Sequence, residues 1–409
     1  MTKSILTLIT GGIATSGMFA ALAIAQPAPH YIVTDLGTLG GTYSYGYGIN
    51  NAGWVAGGAA TVSQTGGVAE TAFLWHGGQM INLGTLGGPS SEAGGPNLFG
   101  ESAIFSETSM TDPNGEDFCG FGTHLQCLGA IWENGTMTAL PTLSGGNNGQ
   151  AYWLNDEGQV TGFAENGTRD STCITPSQVL RFEAVIWGPK GEVRELRPLK
   201  GDTVGFAFGI NDKGQVAGTS GLCSNTSLPP VNPAGPHAVL WDSDGRPTDL
   251  GHLPGVLPGV YNVPGSINNR GEVVGFAQAS DGTQHGFLWT KDTGMQDIGG
   301  FPGAIYGTRA PCCNTINNRG EIVGFSIDAS FNFRALVWQD KAPVDLNTLI
   351  AADSPLYLSG SESINDAGEI TGTGIVKSSC PPTTPPALPA WLTNQGACTV
   401  VHAFLATPQ

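Results

Sequence analysis

The sequence predicts an all-β chain, and within that class a seven-bladed β-propeller of four-stranded blades whose ring is closed by the N-terminal strand. Three observations predict it: a composition rich in turn formers and poor in charge, a pattern that recurs seven times, and complementary fragments of one repeat at the two ends. Glycine fills 62 of 409 positions and proline 27, while only 12% of residues are charged. Helical bundles and coiled coils need charged and Ala/Leu-rich faces, so this balance favours many short strands joined by tight turns. At 40% hydrophobic the chain still carries enough apolar surface for a large core. With 33 acidic residues against 16 basic ones, the formal charge of −17 repels a phosphate backbone and excludes a nucleic-acid partner.

The chain opens with Lys3, an uncharged run from Ile5 to Ala25, and Ala23-Ile24-Ala25 at its end. A basic start, an apolar middle and a small-x-small end are the parts of a secretory signal. Residues 1–25 therefore read as a signal peptide cut before Gln26, and residues 26–409 as one domain. No later stretch approaches the roughly 18 continuous apolar residues of a spanning helix. A secreted, periplasmic or extracellular monomer with no stable membrane insertion after cleavage is expected.

The repeat begins with Asn-x-x-Gly, at Asn50, Asn97, Asn155, Asn211, Asn268, Asn317 and Asn365, spaced by 47, 58, 56, 57, 49 and 48 residues. Six of the seven asparagines follow Ile or Leu, so an apolar strand A runs into a turn and strand B leaves it. The Asn side chain can bond the backbone two residues on, and the Gly supplies a positive φ. Strand C ends in tryptophan at Trp75, Trp132, Trp187, Trp241, Trp289 and Trp338; in the seventh copy, His402-Ala403-Phe404-Leu405, alanine follows instead. Recurrence at one strand position predicts packing between units for these six rings, not carbohydrate stacking. Strand D is a short segment of Asp-Leu-Gly-Thr-Leu-Gly-Gly type, clearest at 35–41, 82–88, 249–255 and 297–303.

Propeller, solenoid and tandem small domains all fit seven such units, and the ends decide between them. Tyr31 to Leu36 is a D strand with no C strand before it, and His402 to Leu405 is a C strand with no D strand after it. Together they make one complete unit, as a closed ring requires, whereas a solenoid needs capping units at both ends.

Ile267-Asn268-Asn269-Arg270-Gly271-Glu272-Val273-Val274-Gly275, His402-Ala403-Phe404-Leu405 and the Asp-Leu-Gly-Thr-Leu-Gly-Gly segments together resemble the bacterial extracellular HAF-repeat proteins, named for the His-Ala-Phe found here at 402–404. The resemblance covers the whole mature chain. It implies secretion and repeats and carries no catalytic signature. Unit 2 departs from the pattern with Pro96 and Ser102, and unit 7 by its missing tryptophan.

Eight cysteines in an exported chain favour disulfides. Cys119 with Cys127, and Cys380 with Cys398, would close local loops. Cys173 and Cys223 lie in corresponding B-to-C loops of units 3 and 4, which predicts a bridge between them. Cys312 and Cys313 are adjacent, as a vicinal bridge or as thiols.

Few residues suggest chemistry. His237, His285 and His402 open the C strands of different units, so structural hydrogen bonding is expected of them, not a shared metal. The run Asp112-Pro113-Asn114-Gly115-Glu116-Asp117 alternates oxygen ligands as calcium loops do but lacks their bidentate glutamate, so no cofactor is assigned and calcium stays a weak alternative. Gly-x-Ser-x-Gly, His-Glu-x-x-His and Gly-x-x-x-x-Gly-Lys are absent.

Unit length varies because of insertions between strands B and C, at 105–127, 164–181, 219–236 and 373–401, which would all emerge on one face. Six cysteines sit there. A rigid scaffold carries function on such loops, so that face is expected to bind an extracellular glycan or protein through Asp112, Glu116, Asp117, Arg169, Asp170 and Trp391. The function expected is a non-enzymatic binding scaffold. The alternative is a polysaccharide lyase or hydrolase, which convergent carboxylates at one mouth of the channel would favour.

Overall fold

The computed structural model describes residues 30–62, 68–175, 178–226, 237–256, 262–310, 314–382 and 390–409. The expected signal peptide and the Cys312/Cys313 pair lie outside them. The described chain is all-β apart from single helical turns such as Cys223–Thr226 and Ala390–Thr393. No helix among the described residues is long and apolar enough to cross a membrane.

Units 2 to 6 each form a four-stranded antiparallel sheet in chain order. In unit 3 these strands are Gly145–Leu154, Val160–Arg169, Leu180–Trp187 and Val193–Leu196. The remaining sheet has eight strands and joins unit 7 to unit 1. Within it, Tyr31–Asp35 runs antiparallel to Val401–Pro408, from Tyr31 opposite Pro408 to Asp35 opposite Phe404. The four strands of unit 1 are attached through a single parallel bridge, Tyr43 to Val401.

Sequence explains the turns and the close approach of the strands. Asn365 Oδ1 accepts the N–H of Ala367 at 3.0 Å and of Glu369 at 2.9 Å, and Gly368 has φ +81°. The side chain and the left-handed glycine thus close each hairpin, as the motif predicts. The second strands carry a glycine for a different reason. A Cβ on Gly218 would stand 1.9 Å from the Phe206 carbonyl oxygen and 2.9 Å from the Trp241 ring.

The apolar core lies between sheets. One cluster combines Trp153, Ala184 and Leu196 of unit 3 with Ala207, Val239 and Trp241 of unit 4; another combines Ala403 and Leu405 of the last strand with Ile49, Val55 and Phe73 of unit 1. Three tryptophans also donate hydrogen bonds to the connection entering their own unit: Trp187 to Pro141, Trp241 to Arg197 and Trp338 to Ile298, each at 2.8 Å. The tryptophan position is therefore a packing position between units.

One feature of the turns escapes sequence reading. Asparagine Nδ2 groups donate to the carbonyl of the asparagine in the next unit: Asn155 to Asn211, Asn211 to Asn268 and Asn268 to Asn317 at 3.0 Å, then Asn317 to Asn365 at 2.9 Å. The series continues from Asn365 to Asn50 at 3.0 Å and from Asn50 to Asn97 at 2.5 Å. Between Asn97 and Asn155 the link is instead Leu98 N–H to Asp156 Oδ1, at 2.9 Å. The asparagines of all seven turns line one cavity of about 90 Å³.

Candidate functional site

The innermost strands alternate between fully buried residues and half-buried ones, and the half-buried side chains share an interior channel. In Gly40–Ile49, Ser44, Gly46 and Gly48 pack outward while Tyr43, Tyr45 and Tyr47 keep partial access. Glu92 from unit 2, Tyr152 from unit 3, Phe208 from unit 4 and Glu362 from unit 7 hold similar positions. The tyrosine rings of unit 1 form a ladder, with centroids 5.3 Å apart from Tyr43 to Tyr45 and 6.2 Å from Tyr45 to Tyr47. Tyr152 meets Phe208 edge-on at 5.9 Å.

Three carboxyls converge on this ladder. Tyr43 donates to Glu70 Oε2 at 3.2 Å, and Tyr47 donates to Glu92. Burial raises Glu92, the Glu70 charge raises it further, and the Tyr47 bond only partly offsets them, leaving the carboxyl at about 8. Glu362 is lifted to about 7 by burial alone, and Glu70 is raised by burial against the opposing Tyr43 bond. Both Glu92 and Glu362 are half-buried side chains. The tyrosines respond in the same sense, Tyr43 being pushed up to about 12 by burial and then by Glu70. Glu92 and Glu362 therefore each change protonation near neutral pH, as groups used in acid–base chemistry do.

The B-to-C insertions reach this channel. Gln150, on the inner strand of unit 3, donates to the Phe118 carbonyl at 2.6 Å, and Phe118 lies 5.2 Å from Phe163. The expected disulfides Cys119–Cys127, Cys173–Cys223 and Cys380–Cys398 are all formed, and the second links unit 3 to unit 4.

Within the insertions, the residues expected to touch a ligand hold the loops together. Asp112 is buried; its Oδ1 accepts the N–H of Asn114 and Glu116, and its Oδ2 accepts Asn148 Nδ2 at 2.8 Å. Glu116 is fully buried and accepts the N–H groups of Val179 and Leu180 from the next insertion. Burial, opposed by those same bonds, leaves Glu116 raised; Glu165 beside it is raised by burial and then by the Glu116 charge. Asp170 is buried and pairs with Arg181 at 3.1 Å. Asp117 accepts the Gly122 N–H at 3.0 Å, and exposed Arg169 donates to Asn114 at 3.0 Å. Trp391 sits in the helical turn Ala390–Thr393, and its side chain lies outside the described residues.

The three histidines expected to open C strands each pair with an aspartate: His237 with Asp202 and His285 with Asp297 at 2.9 Å, and His402 with Asp35 at 2.8 Å. Among the described residues no three His, Cys, Asp or Glu side chains are arranged to hold a metal ion. The channel residues Glu70, Glu92, Glu362, Tyr43, Tyr45 and Tyr47 were not singled out from the sequence. The one available signal was the every-second-residue spacing of the three tyrosines.

No family model matches the chain, and no curated protein matches it. Among solved structures it is similar to puromycin hydrolase, at 13% identity and a TM-score of 0.51 over 83% of this chain and 51% of that one. It is also similar to a puromycin-hydrolyzing peptidase from Mycobacterium tuberculosis, at 12% identity and a TM-score of 0.51 over 85% and 53%. The β-propeller domain of the Trilobed protease from Pyrococcus furiosus aligns at 9% identity and a TM-score of 0.47, over 81% of this chain and 91% of that domain. The chain spans about half the length of the first two. The expectation of a non-enzymatic scaffold is corrected by these matches, which are to hydrolytic enzymes. At such low identity the shared property is the fold, and this chain's own succession of four-stranded antiparallel sheets, linked back from unit 7 to unit 1, is that of a β-propeller.

Proposed function

We propose that the chain is an exported, seven-bladed β-propeller of the HAF-repeat type whose channel is a hydrolytic active site, with Glu362 as base and Glu92 as acid. Seven blades are supported by the asparagine series, which passes from unit 7 to unit 1 and ends in one shared cavity. Closure is supported by Tyr31–Asp35 filling the fourth place beside Val401–Pro408. Three disulfides support an oxidising compartment.

The observation that carries the activity is two carboxyls raised to about 7 and about 8 beside one tyrosine ladder, Glu92 hydrogen-bonded to Tyr47 and Glu362 near enough to act on Tyr47 through its charge. Near neutral pH, Glu362 is about half ionised and takes a proton from water as the water oxygen attacks. Glu92 is protonated at the same pH and gives its proton to the departing nitrogen or oxygen. Proton exchange with channel water restores both groups. The bond cleaved is proposed to be an amide or ester, the class that the names of the similar hydrolases suggest.

The test is a screen of aminoacyl-p-nitroanilides and p-nitrophenyl esters with the wild-type protein, Glu92→Gln and Glu362→Gln. Turnover is expected to rise through about pH 7 and fall through about pH 8, following the two carboxyls. Each variant should lose on the order of a hundredfold or more, the usual contribution of a general acid or base. Silence of the wild-type protein across the screen, or full turnover in both variants, would overturn the reading.

A further inference from the structure

Away from the channel, the connection from unit 5 to unit 6 and the B-to-C turn of unit 6 build an exposed aromatic platform. Tyr306 and Phe331 stack with centroids 4.3 Å apart and planes 17° apart. They remain 43% and 62% exposed, and Ile305 beside them is 55% exposed. Large apolar rings stacked in water are a cost to a folded chain unless something covers them.

Phe331 is also held in a left-handed conformation, φ +58°, that a bulky side chain rarely adopts. The turn around it is firmly tied. Phe331 N–H bonds the Asp328 carbonyl, and Asp328 Oδ1 accepts Ser330 and Asn332. Asn332 in turn accepts Gln395 N–H at 3.1 Å, while the Gln395 side chain clamps both backbone groups of Phe333. A glycine would satisfy this turn without strain, so the phenyl ring is retained at a cost to stability.

The loop that carries Tyr306 also forms one wall of a cavity of about 340 Å³, whose other wall includes Asp281, Thr283 and His285. His285 is fixed through Nδ1 by Asp297 at 2.9 Å, and its Nε2 lies 3.6 Å from Asp281, too far for a hydrogen bond. That nitrogen and one Asp281 oxygen are therefore available to a hydroxyl group.

We propose that the Tyr306–Phe331 platform and the adjoining Asp281–His285 cavity form a binding subsite for a neutral saccharide. A sugar ring offers a C–H face to an aromatic ring and hydroxyls at its edge to a carboxylate and an imidazole. The carboxylates of Asp281 and Asp297 and the chain's formal charge of −17 disfavour uronates and other anionic sugars. The subsite does not depend on the channel chemistry.

The test is calorimetric titration of the full chain with neutral hexasaccharides of glucose, mannose, galactose and N-acetylglucosamine, with hexagalacturonate, and with a lysine-rich peptide. At least one neutral hexasaccharide is expected to bind, and Phe331→Gly and His285→Gln should each weaken it tenfold or more. Because glycine relieves the φ at 331, Phe331→Gly should unfold at an equal or higher temperature than wild type, so its loss of binding cannot be laid to misfolding. No binding by any neutral hexasaccharide, preference for the uronate or the peptide, or unchanged binding in Phe331→Gly would overturn the proposal.

Discussion

Glu92 binds its proton more tightly in the folded chain than in the unfolded one. Burial and the Glu70 charge hold it at about 8, against an ordinary value of 4.5. Across that window the folded state is the better proton binder, so the contribution of Glu92 to stability falls as pH rises, and its full penalty is present above the folded value. Glu92→Gln keeps the shape and removes the ionisation. Its thermal transition should match wild type near about pH 5 and exceed it by about 1–2 kcal/mol near about pH 9, less than full linkage would give because water in the channel screens a half-buried side chain. The same difference at both pH values would show that Glu92 does not titrate in this window. Such residues are the part of the site least legible in the sequence. The repeat places Glu92 and Glu362 on strand A, but which alternate residues face the channel depends on bulges such as those between Ala93 and Pro96 and between Ser361 and Ser363. The Cys173–Cys223 bridge was legible because it needed only equivalent loop positions in adjacent units.

At the scale of the strand and turn, the recurring motif does two jobs, and sequence reading reaches only one. The local job, a hairpin closed by Asn Oδ1 and a left-handed glycine, follows from side-chain chemistry two residues away. The other, donation from Asn Nδ2 to the next unit's carbonyl, depends on a neighbour about fifty residues along the chain, and no local pattern encodes it. The second-strand glycine is likewise a contact between strands that a motif displays but does not explain. Gly218→Ala would set its Cβ against the Phe206 carbonyl of the neighbouring strand and against the Trp241 ring, which packs in the cluster between units 3 and 4. Backbone cannot yield as a flexible side chain does, so a loss of about 1–3 kcal/mol is expected from overpacking. Denaturant unfolding measures it; an unchanged midpoint would mean that the strands separate at no cost.

At the scale of the whole molecule, the proposed closure of the ring rests on five residues. Tyr31–Asp35 supplies the strand that the seventh unit lacks, and along that edge of Val401–Pro408 the other described pairing is the single bridge from Val401 to Tyr43. Its side chains tie it further: Tyr31 packs with Leu349, Leu356 and Phe404, while Asp35 accepts His402 Nδ1 at 2.8 Å. Without the strand, Val401–Pro408 would present an unpaired edge, which invites pairing with another chain. The seam to unit 1 would then rest on one parallel bridge, the Asn365-to-Asn50 bond and the cluster around Ala403 and Phe73. Deleting residues 26–40 should therefore replace a single cooperative thermal transition with a broad or stepwise one and promote self-association, both measurable by calorimetry and light scattering. If the truncated chain kept the wild-type transition and stayed monomeric, closure by the N-terminal strand would be refuted, and the bonds running from unit 7 to unit 1 would be enough to hold the ring.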